Sequence, residues 1–236
     1  MRIYACGCSF THGDELEDRN KAWTTQLAKL LDSTVDNHAA SGGSNHRTVY
    51  HTIKNLTNYN YYFISWTDYS RYTFYKSDNN HETNFNINLS HGLYGKEKFY
   101  RSWGAELYHT WYNELFAFKL WLQQIIQLQH TLKDKSYLMI NAMPNNLKLW
   151  TAPREKFIDS VKNLITFDLM TDEQIFDEYN EIQYYINLID TSKFYRWNEF
   201  HIAELCDRFP CGPGGHILEQ GHEHLANLIY QHLCSK

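Results

Sequence analysis

Short apolar, strand-like runs alternate with segments of helical periodicity along most of this chain. That alternation is the pattern of a parallel sheet covered by helices on both faces. The strand candidates are Arg2 to Cys6, Thr34 to His38, Tyr61 to Trp66 and Tyr137 to Ala142. Between them, Ala22 to Leu31 places Trp23, Leu27, Leu30 and Leu31 on one face, and Arg47 to Leu56 spaces Val49, Ile53 and Leu56 for a helix. A longer helix is expected from about Ala105 to Leu132, with a stripe of Leu107, Trp111, Leu115, Phe118, Leu122 and Ile125. Further helices are expected near Arg154 to Leu164, Asp172 to Tyr185 and Glu219 to Cys234, and "INLIDTSKFY" is a candidate short strand. At 236 residues the chain suits one α/β domain over residues 1–236, a three-layer α/β/α sandwich on a mostly parallel sheet of about five strands.

Two segments interrupt the alternation. Residues 67–104 are polar, rich in Tyr and Asn, and too long for a tight connector, so they form an excursion from the sheet's carboxyl edge. Tyr69, Tyr72, Phe74 and Tyr75 in it offer flat faces for a substrate wall. Residues 143–200 form a helical insertion.

Composition narrows the function classes. A formal net charge of −5 gives no general attraction to nucleic-acid phosphates, so no nucleic-acid partner is expected. The first apolar run is too short for a signal peptide, and nothing approaches the roughly 18 apolar residues of a membrane span. A cytoplasmic protein that neither binds nor crosses a membrane is expected. The five cysteines, an odd number, read as reduced thiols. Cys206, Cys211, His216, His222 and His224 match none of the usual zinc spacings, so neither metal nor other cofactor is expected.

Chemistry-bearing residues gather where the strands end. Directly behind the first strand stands "GCSFTHGDE", with Ser9 between Gly7-Cys8 and Gly13; alternation along the strand turns Cys8 into the core as an inert thiol. A serine hydroxyl needs a base to take its proton and donors already placed for the oxyanion. After the second strand, "NHAASGGSNHRT" places Gly42 and Gly43 ahead of a helix start capped by Ser44 or Asn45. After the third strand come Thr67 and Asp68, with Asp68 and Arg71 a candidate surface pair. His216 lies in "GPGGHILEQGHEHLA", a glycine-rich loop just before the last helix, whose first turn holds His222 and His224 as candidate solvated side chains.

That order of blocks resembles the SGNH, or GDSL, hydrolase family. The first block is matched by Gly7-Cys8-Ser9 and Gly13, with Cys8 in place of aspartate, and the second by Asn37 and Gly42. The third corresponds loosely to Ser65-Trp66-Thr67-Asp68, and the last is matched by His216 and Gly221-His222, with Pro213 where the family has aspartate. The resemblance implies a flavodoxin-like strand order and acyl transfer from an ester. Ser9 would be the nucleophile, His216 the general base, and the Ser9 and Gly42 amides with the Thr67 side chain the oxyanion donors. With Pro213 unable to orient His216, a backbone carbonyl, Asp207 or Glu219 is expected in that role. The expected substrate is a small soluble ester, an acylated carbohydrate among the candidates. A second reading, resting on Thr67 and Pro213, is a non-catalytic module on the same scaffold that binds a glycan or a protein. The oligomeric state is left open.

Overall fold

A computed structural model describes residues 1–78, 81–88, 113–145, 147–161 and 170–235, with backbone alone for 74–88 and 159–161. In chain order the regular elements are β1 (Arg2–Cys6), α1 (Ser9–His12), α2 (Trp23–Leu30), β2 (Thr34–Asn37), α3 (Asn45–Lys54), β3 (Tyr61–Trp66), β4 (Arg71–Asp78), β5 (His81–Asn88), α4 (Glu114–Thr131), β6 (Ser136–Asn141), α5 (Leu147–Trp150), α6 (Arg154–Val161), α7 (Asp172–Leu188) and α8 (Glu219–Cys234). Four strands form the parallel sheet, in the order β2-β1-β3-β6. A fifth place beyond β6 is taken by a single parallel bridge between Met139 and Phe194. No strand grows there because Asp190 caps a 3₁₀ turn over Thr191–Lys193, and Arg196, with φ +49°, turns the chain away two residues later. The order is flavodoxin-like, as expected.

β1, β3 and β6 are largely apolar because both their faces are covered, whereas the edge strand β2, Thr-Val-Asp-Asn, stays partly exposed. Tyr4, Cys6, Tyr62, Ile64, Trp66 and Met139 point to one side, where α3, α4 and α7 supply Val49, Phe118, Trp121, Leu122, Ile125 and Ile182. Ile3, Ala5, Phe63, Leu138 and Ile140 point to the other, against Trp23 and Leu27 of α2 and Leu225, Ala226 and Ile229 of α8. Helix α4 shows how the pattern is read out: Asn113 caps it by accepting from the Phe116 N–H, and Leu115, Phe118, Leu122 and Ile125 follow at helical spacing on its buried face. Leu107 and Trp111 of the expected stripe lie outside the described residues.

Two expectations are corrected here. The start of the 67–104 excursion is an antiparallel hairpin, β4 on β5, with Arg71 opposite Asn88 and Asp78 opposite His81. His222, read as a solvated residue, is fully buried where α8 packs on α2, and its Nδ1 accepts the Trp23 N–H at 3.1 Å. Trp23 opens α2 and its N–H has no partner within the helix, so the imidazole acts as that helix's cap. Cys8 is buried among Phe10, Leu27 and Ile140, as the alternation implied.

Burial, with His216 nearby adding to it, pushes the His222 pKa down to about 4. The unfolded chain takes up this proton near pH 6.5 and the folded one only near 4, so His222 favours folding fully above pH 6.5 and progressively less between 6.5 and 4. Urea unfolding across that window is expected to lose on the order of 3 kcal/mol through this residue. The His222→Gln protein should show a correspondingly shallower fall; identical pH dependence in both proteins would contradict the assignment.

Candidate active site

The first element of the site is a turn set by β1. Cys8, extended at φ −96°, stands two residues past β1 and caps α1, and Gly13, left-handed at φ +85°, closes the one-turn helix by donating its N–H to the Ser9 carbonyl. With Cys8 committed to the core, Ser9 comes first on the helix. It is only 3% exposed, and neither its Oγ nor its N–H has a hydrogen-bond partner among the described residues.

Two neighbouring strand ends close on this turn. The Ala40 N–H donates to the Gly7 carbonyl at 3.2 Å, and Asn37 Nδ2 donates to the Thr11 carbonyl at 2.7 Å. Gly42 is left-handed at φ +65°. A Cβ on Gly43 would stand 2.9 Å from the Gly7 oxygen and 3.6 Å from Cys8 Cα, so only glycine lets the β2–α3 turn sit this close to Ser9's peptide. Ser44 caps α3, and the next residue, Asn45, clasps Thr67 at the end of β3 by accepting its N–H at 2.9 Å and donating to its carbonyl at 3.1 Å. The Thr67 hydroxyl is buried with no partner among the described residues. Ser9, the Gly42–Gly43 turn and Thr67 therefore share the carboxyl edge of β1, β2 and β3.

His216 reaches the same edge from the far end of the chain, its ring centroid 5.1 Å from that of Phe10, the residue after Ser9. No hydrogen bond joins Ser9 to His216 among the described residues. The partner of His216 is Glu15. Its Oε2 takes the imidazole Nδ1 at 2.8 Å and the His216 N–H at 3.1 Å, while Oε1 takes the Gly214 N–H at 2.7 Å. Glu15 holds a left-handed backbone, φ +67°, to deliver this carboxylate, a strained conformation of the kind found at functional sites. A Cβ on Gly212 would lie 2.6 Å from Glu15 Oε1, so the glycines before His216 exist to let the loop wrap the carboxylate. Burial works to raise the Glu15 pKa, but the donors on Gly214 and His216 outweigh it and hold the carboxyl below the usual carboxylate range. The ionised carboxylate fixes the proton of the neutral imidazole on Nδ1 and leaves the lone pair on Nε2.

Glu15 thus replaces the expected orienters. Glu219, in the first turn of α8, is bound to Lys21 at 2.6 Å, and Asp207 is exposed at the end of a 3₁₀ turn over Ile202–Asp207. Asp68 accepts the Ser70 N–H and forms no ion pair with Arg71. The expected wall also changes. Tyr69 is buried against Phe118 and Trp121, its hydroxyl on Glu114 at 2.7 Å, so it belongs to the core. Tyr72 lies beside His46, with ring centroids 6.5 Å apart, and the side chains of Phe74 and Tyr75 lie outside the described residues. A cavity of about 350 Å³ opens instead at the carboxyl end of β6, between Asn141, Pro144 and Lys148 on one side and Trp197, Asn198 and His201 on the other. Among the described residues there is no group of three metal-ligating side chains and no helix long and apolar enough to cross a membrane.

Solved structures share this fold. A carbohydrate esterase, whose active site is described as having divergent catalytic and non-catalytic binding functions, superposes with a TM-score of 0.50 at 12% identity, covering 100% of this chain and 68% of its own. A lipase/acylhydrolase from Enterococcus faecalis matches at 11% identity over 99% of this chain and 95% of its own, TM-score 0.48. A member of the lipolytic G-D-S-L family from Veillonella parvula matches at 13% over 98% and 96%, TM-score 0.45. The fold is that of the SGNH/GDSL hydrolases. At these identities the likeness is one of fold, and no protein-family sequence model or curated protein matches the chain. What this SGNH-fold protein does therefore rests on its own side chains.

The Glu15 clasp makes a structural prediction independent of activity. Glu15→Ala should speed amide hydrogen exchange at Gly214 and His216 by about tenfold or more, as expected for losing charge-assisted hydrogen bonds. Glu219→Gln and Asp207→Asn should leave both amides unchanged; equal acceleration by Glu219→Gln would contradict the assignment.

Proposed function

We propose that the protein is a serine-dependent acyl-ester hydrolase acting on a small soluble ester, with Ser9 as nucleophile, His216 as base and Glu15 as the group that orients it. The observation carrying this reading is the Glu15 carboxylate on His216 Nδ1, which leaves Nε2 as the basic nitrogen on a ring packed beside the Ser9 helix. In the proposed reaction the Ser9 Oγ–H proton passes to Nε2 as Oγ bonds to the ester carbonyl carbon. The carbonyl oxygen, now an oxyanion, takes the N–H groups of Ser9 and Gly42 and the Thr67 hydroxyl. Collapse breaks the bond to the alkoxy oxygen, which leaves as an alcohol with the proton from Nε2. Water, deprotonated at Nε2, then attacks the acyl carbon and releases the acid and Ser9. Binding of substrate between Ser9 and His216 would bring these groups to hydrogen-bonding distance, as free enzymes often hold them loosely.

A second reading has an observation of its own. Ser9 and His216 are not hydrogen-bonded, and the ester-binding edge would also serve a non-catalytic module for a glycan or protein. The orientation of His216 by a carboxylate favours the enzyme, because a binding module has no need of a fixed imidazole tautomer. A fluorophosphonate probe followed by mass spectrometry separates the two. The wild-type protein should carry the phosphonyl group on Ser9 and Ser9→Ala should carry none. Glu15→Ala should react some 10²- to 10⁴-fold more slowly, in line with loss of a triad carboxylate. Wild-type labelling no greater than that of Ser9→Ala would overturn the hydrolase reading.

A further inference from the structure

We propose that Cys206 and Cys211 form a reversible disulfide whose closure releases one end of the peptide that carries His216. The His216 loop is the turn of a small hairpin. Gly212 donates its N–H to the His216 carbonyl at 2.9 Å, Cys211 bridges Ile217, and the Leu218 N–H reaches the Pro210 carbonyl at 3.0 Å. Cys206, in the 3₁₀ turn over Ile202–Asp207, lies against the tip of this hairpin. Its Sγ–H donates to the Gly215 carbonyl at 3.2 Å, and the Gly215 N–H donates back to the Gly212 carbonyl at 3.0 Å. The Cys211 side chain, next to Gly212, is within hydrogen-bonding reach of Cys206. Both are free thiols and both are partly exposed, whereas Cys6 and Cys8 are sealed in the core and Cys234 stands at the far end of α8.

The link to His216 is a single peptide unit. Its carbonyl is that of Gly215, held by the Cys206 thiol, and its N–H is that of His216, held by Glu15 at 3.1 Å. A weak S–H bond at one end and a charge-assisted bond at the other therefore fix the plane from which the imidazole hangs. In a disulfide Cys206 has no proton to give. The Gly215 carbonyl then loses the one donor it has among the described residues, while Glu15 keeps its hold on the other end.

The oxidant is a low-molecular-weight disulfide of the glutathione class. Burial pushes the Cys206 pKa up to about 12, and the Cys211 thiol beside it adds to the rise, so Cys206 keeps its proton and Cys211 opens the exchange. The Cys211 thiolate bonds to one sulfur of the small disulfide, whose S–S bond breaks and whose other half leaves as a thiolate. Cys206 then gives its proton to solvent and bonds to the Cys211 sulfur, expelling the second half as a thiolate. The protein thiols lose two electrons and two protons, and the small disulfide ends as two thiols. Four residues separate the pair, so the bridge constrains the unfolded chain less than a long-range one would, and excess thiol reverses it.

The test uses the full-length Cys234→Ser protein, which lacks the exposed thiol at the chain's end. It is equilibrated, native and in urea, in glutathione buffers of graded ratio, then alkylated and digested for mass spectrometry. A Cys206–Cys211 linkage is expected that forms about tenfold more readily in the native protein than in urea and is reversed by excess dithiothreitol. Amide hydrogen exchange at His216 should quicken about threefold or more in the oxidised protein. Cys206→Ala, which has no donor, should quicken it equally at every ratio, and Cys206→Ser, whose hydroxyl restores a donor, should match the reduced protein. A linkage no greater in the native protein than in urea, glutathione adducts on both thiols with no linkage, or unchanged His216 exchange in the disulfide form would overturn the proposal. Because His216 is the proposed base, fluorophosphonate labelling of Ser9 should slow in the oxidised protein. That arm alone rests on the hydrolase reading: no labelling in either redox state, with the linkage and exchange results as expected, would support the redox site and count against that reading only.

Discussion

One carboxylate joins the two ends of the chain. Glu15, six residues after Ser9, collects three donors from a loop about 200 residues further on, and it supplies the only side-chain hydrogen bond to the His216 imidazole among the described residues. The two glycines it touches and its own left-handed backbone are costs that make sense only if the contact is kept. Because the donors hold its pKa below the usual carboxylate range, the clasp is complete above that range and is lost only as pH falls through the lowered value.

The core explains why such a contact can be precise. Side chains alternate along β1, β3 and β6 into two aromatic-rich layers, so each strand end is fixed in height and direction by packing on both faces. Parallel pairing then delivers Ser9, the Gly42–Gly43 turn and Thr67 to one edge without any contact between their side chains. Local bonds finish the alignment: Asn37 ties β2 to the Ser9 turn, and Asn45 ties α3 to Thr67. The layer between α2 and α8 carries a fully buried imidazole, His222, which stays neutral to about pH 4 and caps α2.

Much of this was legible before the structure. Runs such as Tyr61–Trp66 announce strands because both faces are buried, and α8 spans Glu219–Cys234 as its periodicity implied. The blocks around Ser9, Gly42 and His216 marked the edge where they meet. Glu15 escaped because its role depends on a contact across 201 residues, although "GDE" after the serine and the glycines of "GPGG" carried its trace. Tyr69 was misplaced because an aromatic side chain in a polar segment looks like a surface, whereas here its ring completes the core beside Trp121. The β4–β5 hairpin was hidden by Tyr and Asn, which blur the apolar alternation of a strand.

The central claim is that Glu15 sets the tautomer of His216 so that its free nitrogen serves Ser9. Nitrogen-15 NMR of the histidine rings reads this directly at a pH where His216 is neutral. The account predicts that His216 carries its proton on Nδ1 and a lone pair on Nε2, and that Glu15→Gln shifts the ring towards the other tautomer. A His216 protonated on Nε2 in the wild-type protein would contradict it, since that ring could neither be held by Glu15 as described nor accept the Ser9 proton.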